Sequence, residues 1–234
     1  MTTPPGGDDA DAVHIYHPGV TGWWDAAPMG TEHFDAKADT WDDDPDKARH
    51  AREVAQSILG RASVRADARV LEYGAGTGLV SQALLERHGG LRVTLADNSA
   101  GMRQVVQQKI DSGALPADAR VSGLDLESEP VPDERYDLVV SSMVMHHVKE
   151  LDVVLAAFAE LLEPGGSLCI ADLDQEGGHF HDHDFDGHHG FDRAALTARL
   201  TSAGFAEAGV EDCSTIEKDG GTFSVFLAVA RTAG

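Results

Sequence analysis

The chain is short of cysteine, of long apolar runs and of positive charge, and each shortage removes a class of protein. Its two cysteines, Cys169 and Cys213, supply neither a disulfide framework nor the paired spacing of a zinc site. No apolar run approaches the roughly 18 residues that span a bilayer, and the polar stretch Met1 to Ala12 has no signal-peptide core. Only 18 Lys and Arg stand against 40 Asp and Glu, a formal net charge of −22 that repels nucleic acid. The expectation is a cytoplasmic protein with no nucleic-acid or membrane partner, monomeric or homodimeric. Its acidic surface favours solubility and the approach of cationic ligands.

Residues 1–12, rich in Pro, Gly and Asp, read as a disordered tail. Val13 to Met29 mixes His14, Tyr16, His17, Trp23 and Trp24 without a period, as an irregular arm packed on a domain does. A short helix is expected over Thr31–Trp41. A longer one follows Pro45, from about Asp46 to Leu59, with Ala48, Ala51, Val54, Ala55, Ile58 and Leu59 on one face. Together, residues 13–60 form an arm and helical lid before a main domain over 61–234.

Beyond Gly60 short apolar runs alternate with helical ones. Strands are expected at 69–73, 91–96, 119–123, 136–141 and 167–172, and helices at about 79–88, 99–112, 149–162 and 192–203. That alternation predicts an α/β fold, a mostly parallel sheet with helices on both faces. Phe205–Val210 and Phe223–Ala230 then read as two strands joined by Glu217–Gly221, a connection short enough to make an antiparallel hairpin.

Val70 to Ser81 organises the rest: a strand enters Glu72-Tyr73-Gly74-Ala75-Gly76-Thr77-Gly78 and leaves as a helix. Glycines let the chain turn sharply and let a ligand touch backbone, and the first amides of the helix face that ligand. Asp97 ends the second strand a little over 20 residues on, where a carboxylate takes both hydroxyls of a ribose; the competing role is capping the helix at Ser99. Asp125 follows the third strand and suits an adenine amino group. Met102 or Leu126 suits its faces, with Met102 equally suited to the core. A dinucleotide fold wants Gly-x-Gly-x-x-Gly to hold a pyrophosphate. Here Leu79 takes that last position, the third glycine falls one residue early at Gly78, and Glu72 sits badly beside phosphate. Glu72 suits an ammonium and sulfonium instead, which favours S-adenosyl-L-methionine over a nicotinamide dinucleotide.

Leu71–Gly78 resembles the first motif of the class I, Rossmann-like S-adenosylmethionine-dependent methyltransferases. Asp97, Asp125-Leu126, Tyr136–Ser141 and Leu161–Leu168 occur in that family's order, and His188–Phe191 to Ala203–Phe205 resembles the tail of its small-molecule members. The resemblance implies a seven-stranded sheet with its last strand antiparallel. It implies that the Gly74, Ala75, Gly76 and Gly78 backbone holds the methionine end, with Glu72 at the amino group and Ser141 near the methyl donor. Asn98, beside Asp97, completes the cofactor set.

Methyl transfer needs alignment, and a base only where the acceptor must lose a proton. His146 and His147, after the fourth strand, are candidate bases; one of them alternatively orders the local helix start. No Asn/Asp-Pro-Pro-Tyr motif marks a nucleobase N-methyltransferase. The loop 174–190 alternates His and Asp. It reads as a lid over the pocket, with His179, His181 or His183 as proton acceptors, rather than as a metal site, which its irregular spacing does not frame. The reading is a methyltransferase acting on a small-molecule acceptor through O, N, C or S. A nicotinamide oxidoreductase, a non-catalytic cofactor-binding scaffold and a metal-dependent O-methyltransferase stay open as alternatives.

Overall fold

The computed structural model describes residues 31–181 and 185–234. The expected tail 1–12, the arm over 13–29 and His183 lie outside the described residues.

The described residues begin with α1 (Glu32–Lys37), a turn of 3₁₀ helix over Ala38–Asp43, and α2 (Pro45–Arg61). The single helix expected over Thr31–Trp41 is thus split. α2 starts where Asp44 accepts from the Asp46 amide at 2.9 Å and Pro45 pre-sets the first turn. Its buried stripe is Lys47, His50, Ala51, Val54, Ala55 and Ile58, so Lys47 rather than Ala48 opens the inward face.

The main domain runs β1 (Arg69–Tyr73), α3 (Leu79–Arg87), β2 (Arg92–Ala96), α4 (Ala100–Asp111), β3 (Arg120–Ser122) and β4 (Tyr136–Ser142). It continues through α5 (Leu151–Leu161), β5 (Leu162–Leu173), α6 (Arg193–Ser202), β6 (Glu207–Lys218) and β7 (Gly221–Arg231). These strands form one sheet in the order β3-β2-β1-β4-β5-β7-β6. All neighbours are parallel except β7, which runs against both β5 and β6. The central strands are buried along most of their length because helices cover both faces. Alternation sends Val70 into the core shared with α2 and α3, and Leu71 into the core shared with α5 and α6.

The hairpin differs from expectation. β6 extends to Lys218, and the connection shrinks to Asp219 (φ 51°) and Gly220 (φ 77°), both left-handed, the conformation of a two-residue type I′ turn. Its residues lack an apolar alternation because β6 is the outer strand, exposed along much of its length. β5 likewise starts earlier than expected, its first residues pairing beside a left-handed Gly165.

Two segments cover the strand ends. Asp35 Oδ1 accepts from Ser99 Oγ (2.5 Å) and Gly101 N (2.8 Å), docking α1 on α4. The loop after β5 is closed at its base: Phe191 N donates to Leu173 O, Gln175 N to Phe191 O and Glu176 N to His189 O, at 2.9–3.0 Å. Lys218 Nζ, buried, donates to Phe180 O at 2.6 Å and ties the loop to the hairpin.

Candidate active site

The sheet's carboxyl edge and the two covering segments enclose a cavity of about 310 Å³. It has a glycine-and-carboxylate half and a histidine half.

The first half is built by the β1 turn. Gly74 (φ 69°) and Gly76 (φ 54°) are left-handed, and a Cβ on Gly74 would overlap the Val144 side chain. The Gly76 amide donates to Asp97 Oδ2 at 2.7 Å and the Ser99 amide to Oδ1 at 2.9 Å, so Asp97 braces the turn and holds Ser99, the residue that caps α4 by accepting from the Met102 amide. The contact with Ser99 expected as the competing role of Asp97 is present, and Asp97 also lines the cavity. Burial pushes the Asp97 carboxyl up. Glu72, 3% exposed, accepts from the Ser81 amide at 3.0 Å, and burial pushes its carboxyl up to about 7. Asn98, Met102 and Asp125 line the same half. Asp125 also caps its own turn, accepting from Glu127 N (3.0 Å) and Ser128 Oγ (2.8 Å).

The second half centres on His146, whose Nδ1 lies 2.7 Å from Asp172 Oδ1, with the pair 1% and 0% exposed. Asp172 also accepts from the His146 and Leu173 amides at 3.2 and 2.7 Å. A carboxylate so placed holds the proton on Nδ1 and leaves Nε2 as the basic nitrogen. His147 packs at 4.0 Å between ring centroids from His146 and at 5.9 Å from His181, which stacks on Phe185 at 3.7 Å. Burial, with His146 and His181 alongside, holds His147 well below the usual imidazole range. His50 from α2 reaches Ser214 Oγ at 3.1 Å, and burial holds it down to about 4. Met143 turns the chain from β4 into this half with φ 58°, a strained conformation for a side-chain-bearing residue.

The cavity thus gathers Glu72, Gly74, Ala75, Gly76, Asp97, Asn98, Met102, Asp125, His146, His147 and His181 from the expected residues. Three others do not line it. Gly78 is the left-handed N-cap of α3, where a Cβ would strike Leu95. Leu126 is 2% exposed in the core, its amide donating to Tyr73 Oη at 3.2 Å. Ser141 is fully buried, and its neighbour Ser142 lines the cavity instead, because successive strand residues face opposite ways. His179 does not line it either. Among the described residues, no three His, Cys, Asp or Glu are arranged to hold a metal ion.

Sequence reasoning missed Asp172, Lys47, His50, Trp41 and Phe34. Asp172 carried a signal, an acid at the end of an apolar strand; Lys47 and His50 carried one only in the helical phase of α2.

Residues 47–207 match the model of a methyltransferase domain. The chain belongs to that methyltransferase family. The methyltransferase is 35% identical over 145 residues to the biotin biosynthesis bifunctional protein BioCD of Bordetella avium, covering 62% of this chain and 30% of that protein. It is 33% identical over 122 residues to a malonyl-[acyl-carrier protein] O-methyltransferase of Serratia marcescens, covering 52% and 45%. The matches thus span less than half the length of these two relatives. Among solved structures, a SAM-dependent methyltransferase from Aquifex aeolicus superposes with a TM-score of 0.58 at 18% identity, over 86% of this chain and 98% of that one. The Haemonchus contortus phosphoethanolamine N-methyltransferase 2 in complex with S-adenosyl-L-methionine gives 0.63 at 14% identity, over 86% and 60%. At those identities the likeness shows the fold. Among the described residues, no helix is long and apolar enough to cross a membrane.

Proposed function

We propose that the methyltransferase uses S-adenosyl-L-methionine to methylate a small-molecule acceptor, free or borne on a carrier, with His146 as base. The observation that carries this reading is one cavity joining the Glu72–Gly76–Asp97 half to the His146–Asp172 pair. The residues present fit such a cofactor: a left-handed glycine cradle, buried Glu72 for an ammonium, Asp97 for a diol, and Met102 with Asp125 at the base end. When bound, that group supplies a methyl already activated on a sulfonium.

The chain's own residues then align, exclude water and move a proton. Asp172 orients His146 and stabilises the imidazolium formed when Nε2 takes the acceptor's proton. His147, held neutral, and Phe34, His181 and Phe185 wall the acceptor half with apolar and weakly polar rings. A base serves a phenol, an amine or a carbon acid; a carboxylate acceptor needs none. A cytoplasmic setting accompanies the proposal, since the free thiols Cys169 and Cys213 suit a reducing compartment. The test is calorimetry with S-adenosylmethionine and S-adenosylhomocysteine, followed by labelled-methyl transfer from the former to phenolic, amine, enolisable and carboxylate acceptors. Micromolar binding and a labelled product are expected. Absence of binding by both nucleosides sinks the reading.

A further inference from the structure

Lys47 is an unusual residue for the position it holds. It opens the buried face of α2, is 5% exposed, and lines the same cavity as the glycine turn. Burial holds its ammonium down to about 8, with the Asp44, Asp42 and Asp43 carboxylates acting the other way. The cavity wall is otherwise acidic, with Glu72, Asp97 and Asp125 on it; the other lysine there, Lys149, is mostly exposed and pairs with Asp186 at 2.6 Å. Among the described residues lining the cavity, Lys47 is therefore the buried cation.

Its position along the cavity is fixed by Trp41. Lys47 Nζ stands 3.7 Å from the centroid of the Trp41 ring, and the indole Nε1 lies 3.9 Å from where a Cβ on Gly76 would be. Trp41 thus bridges the lysine and the glycine turn. Glu72 stands on β1, two residues before the same turn, and lines the cavity with it. One buried acid and one buried base flank a single left-handed turn, from opposite elements. That is the complement of a zwitterion, an ammonium and a carboxylate carried on one carbon.

We propose that Lys47 binds the α-carboxylate of the cofactor's amino-acid end while Glu72 takes its ammonium. This rests on the S-adenosylmethionine reading above and extends it to a lid residue: the cofactor is held between β1 and α2, so its amino-acid end ties the lid to the sheet. Trp41 stacks against the lysine and fixes its head, which lowers the ordering cost of a four-carbon side chain.

The test compares two nucleosides that differ in the amino-acid end alone. S-adenosylhomocysteine carries the carboxylate, and 5′-methylthioadenosine lacks both charged groups. Their dissociation constants are measured by calorimetry for the wild type, Lys47→Met and Lys47→Arg, with circular dichroism confirming folding. Lys47→Met is expected to weaken S-adenosylhomocysteine by about tenfold or more while leaving methylthioadenosine within about twofold, and Lys47→Arg to recover most of the loss. Equal weakening of both nucleosides by Lys47→Met, or no weakening of S-adenosylhomocysteine, overturns the clamp while the cofactor reading stands. If Lys47→Met does not fold, Lys47→Arg and decarboxylated S-adenosylhomocysteine on the wild type decide. Decarboxylation must then cost the wild type about tenfold or more, and an unchanged affinity overturns the clamp. A wild type that binds neither nucleoside overturns the cofactor reading and the clamp with it.

Discussion

Thr77 and Asp42 are 35 residues apart in the chain and 2.5 Å apart in space, the Thr77 hydroxyl donating to Asp42 Oδ1. The other oxygen of Asp42 pairs with Lys109 Nζ at 2.6 Å, and that lysine also donates to Thr77 O at 2.9 Å. A single lid carboxylate therefore holds the glycine turn and α4 together. Asp42→Ala is expected to loosen the lid more than the fold. Global stability should fall by about 1 kcal/mol, since the pair is partly exposed. Amide exchange over residues 38–47 should accelerate by about tenfold while the central strands keep their protection. Uniform acceleration across the sheet would contradict a local clasp.

The two glycines of the turn should respond differently to alanine. Both are left-handed, which costs about 1 kcal/mol for a residue with a Cβ. At Gly76 the added methyl meets nothing closer than Trp41 Nε1 at 3.9 Å, so Gly76→Ala should fold with about that loss. At Gly74 it would overlap Val144, so Gly74→Ala should lose about 2 kcal/mol or more. Denaturant midpoints check the order. Gly76→Ala losing as much as Gly74→Ala would remove the Val144 contact as the cause.

Glu72 makes stability depend on pH in a stated direction. Burial raises its carboxyl from 4.5 to about 7, so the folded chain holds this proton more tightly than the unfolded one. The contribution is full below pH 4.5 and is lost as pH rises through about 7, levelling above that. Glu72→Gln keeps the acceptor for the Ser81 amide and removes the titration. Relative to wild type it should gain stability, on the order of 3 kcal/mol, between pH 5 and pH 8. Thermal or denaturant melts of the two proteins across that range should diverge; parallel curves would show that Glu72 does not titrate there.

Asp172→Asn tests the orientation of His146. The amide keeps the shape but no longer fixes the proton on Nδ1. Nitrogen shifts of His146 should change from one tautomer to a mixture, and methyl transfer to a proton-bearing acceptor should fall by about 100-fold or more. Affinity for S-adenosylhomocysteine should hold. Loss of that affinity alongside activity would mark Asp172 as a purely structural residue.

Much of the molecule was legible in the chain, for reasons that differ by region. The strand–helix alternation and the Gly74–Gly78 turn are written in local periodicity and in residues that only a tight turn requires, so the sheet and the glycine-and-carboxylate half of the cavity followed. Lys47 and His50 were less visible because charged residues on a helix ordinarily face water. Yet Lys47, Ala51, Val54, Ala55 and Ile58 keep the spacing of a buried stripe, and the lysine belongs to it. The length of β6 was hidden because an outer strand needs no apolar alternation. The pairing of Asp172 with His146 spans 26 residues and two strand ends, and appears only when β4 and β5 lie side by side.

The loop after β5 is fastened at its base by Phe191 and His189 and moored at Phe180 by Lys218. Its described residues also reach the histidine half directly, the His188 amide donating to His146 O at 2.8 Å. The hairpin at the far edge of the sheet therefore has a hold on the cavity wall: Lys218 grips the carbonyl of Phe180, one peptide from His181, so a change at the tip of β6 is felt beside the histidines.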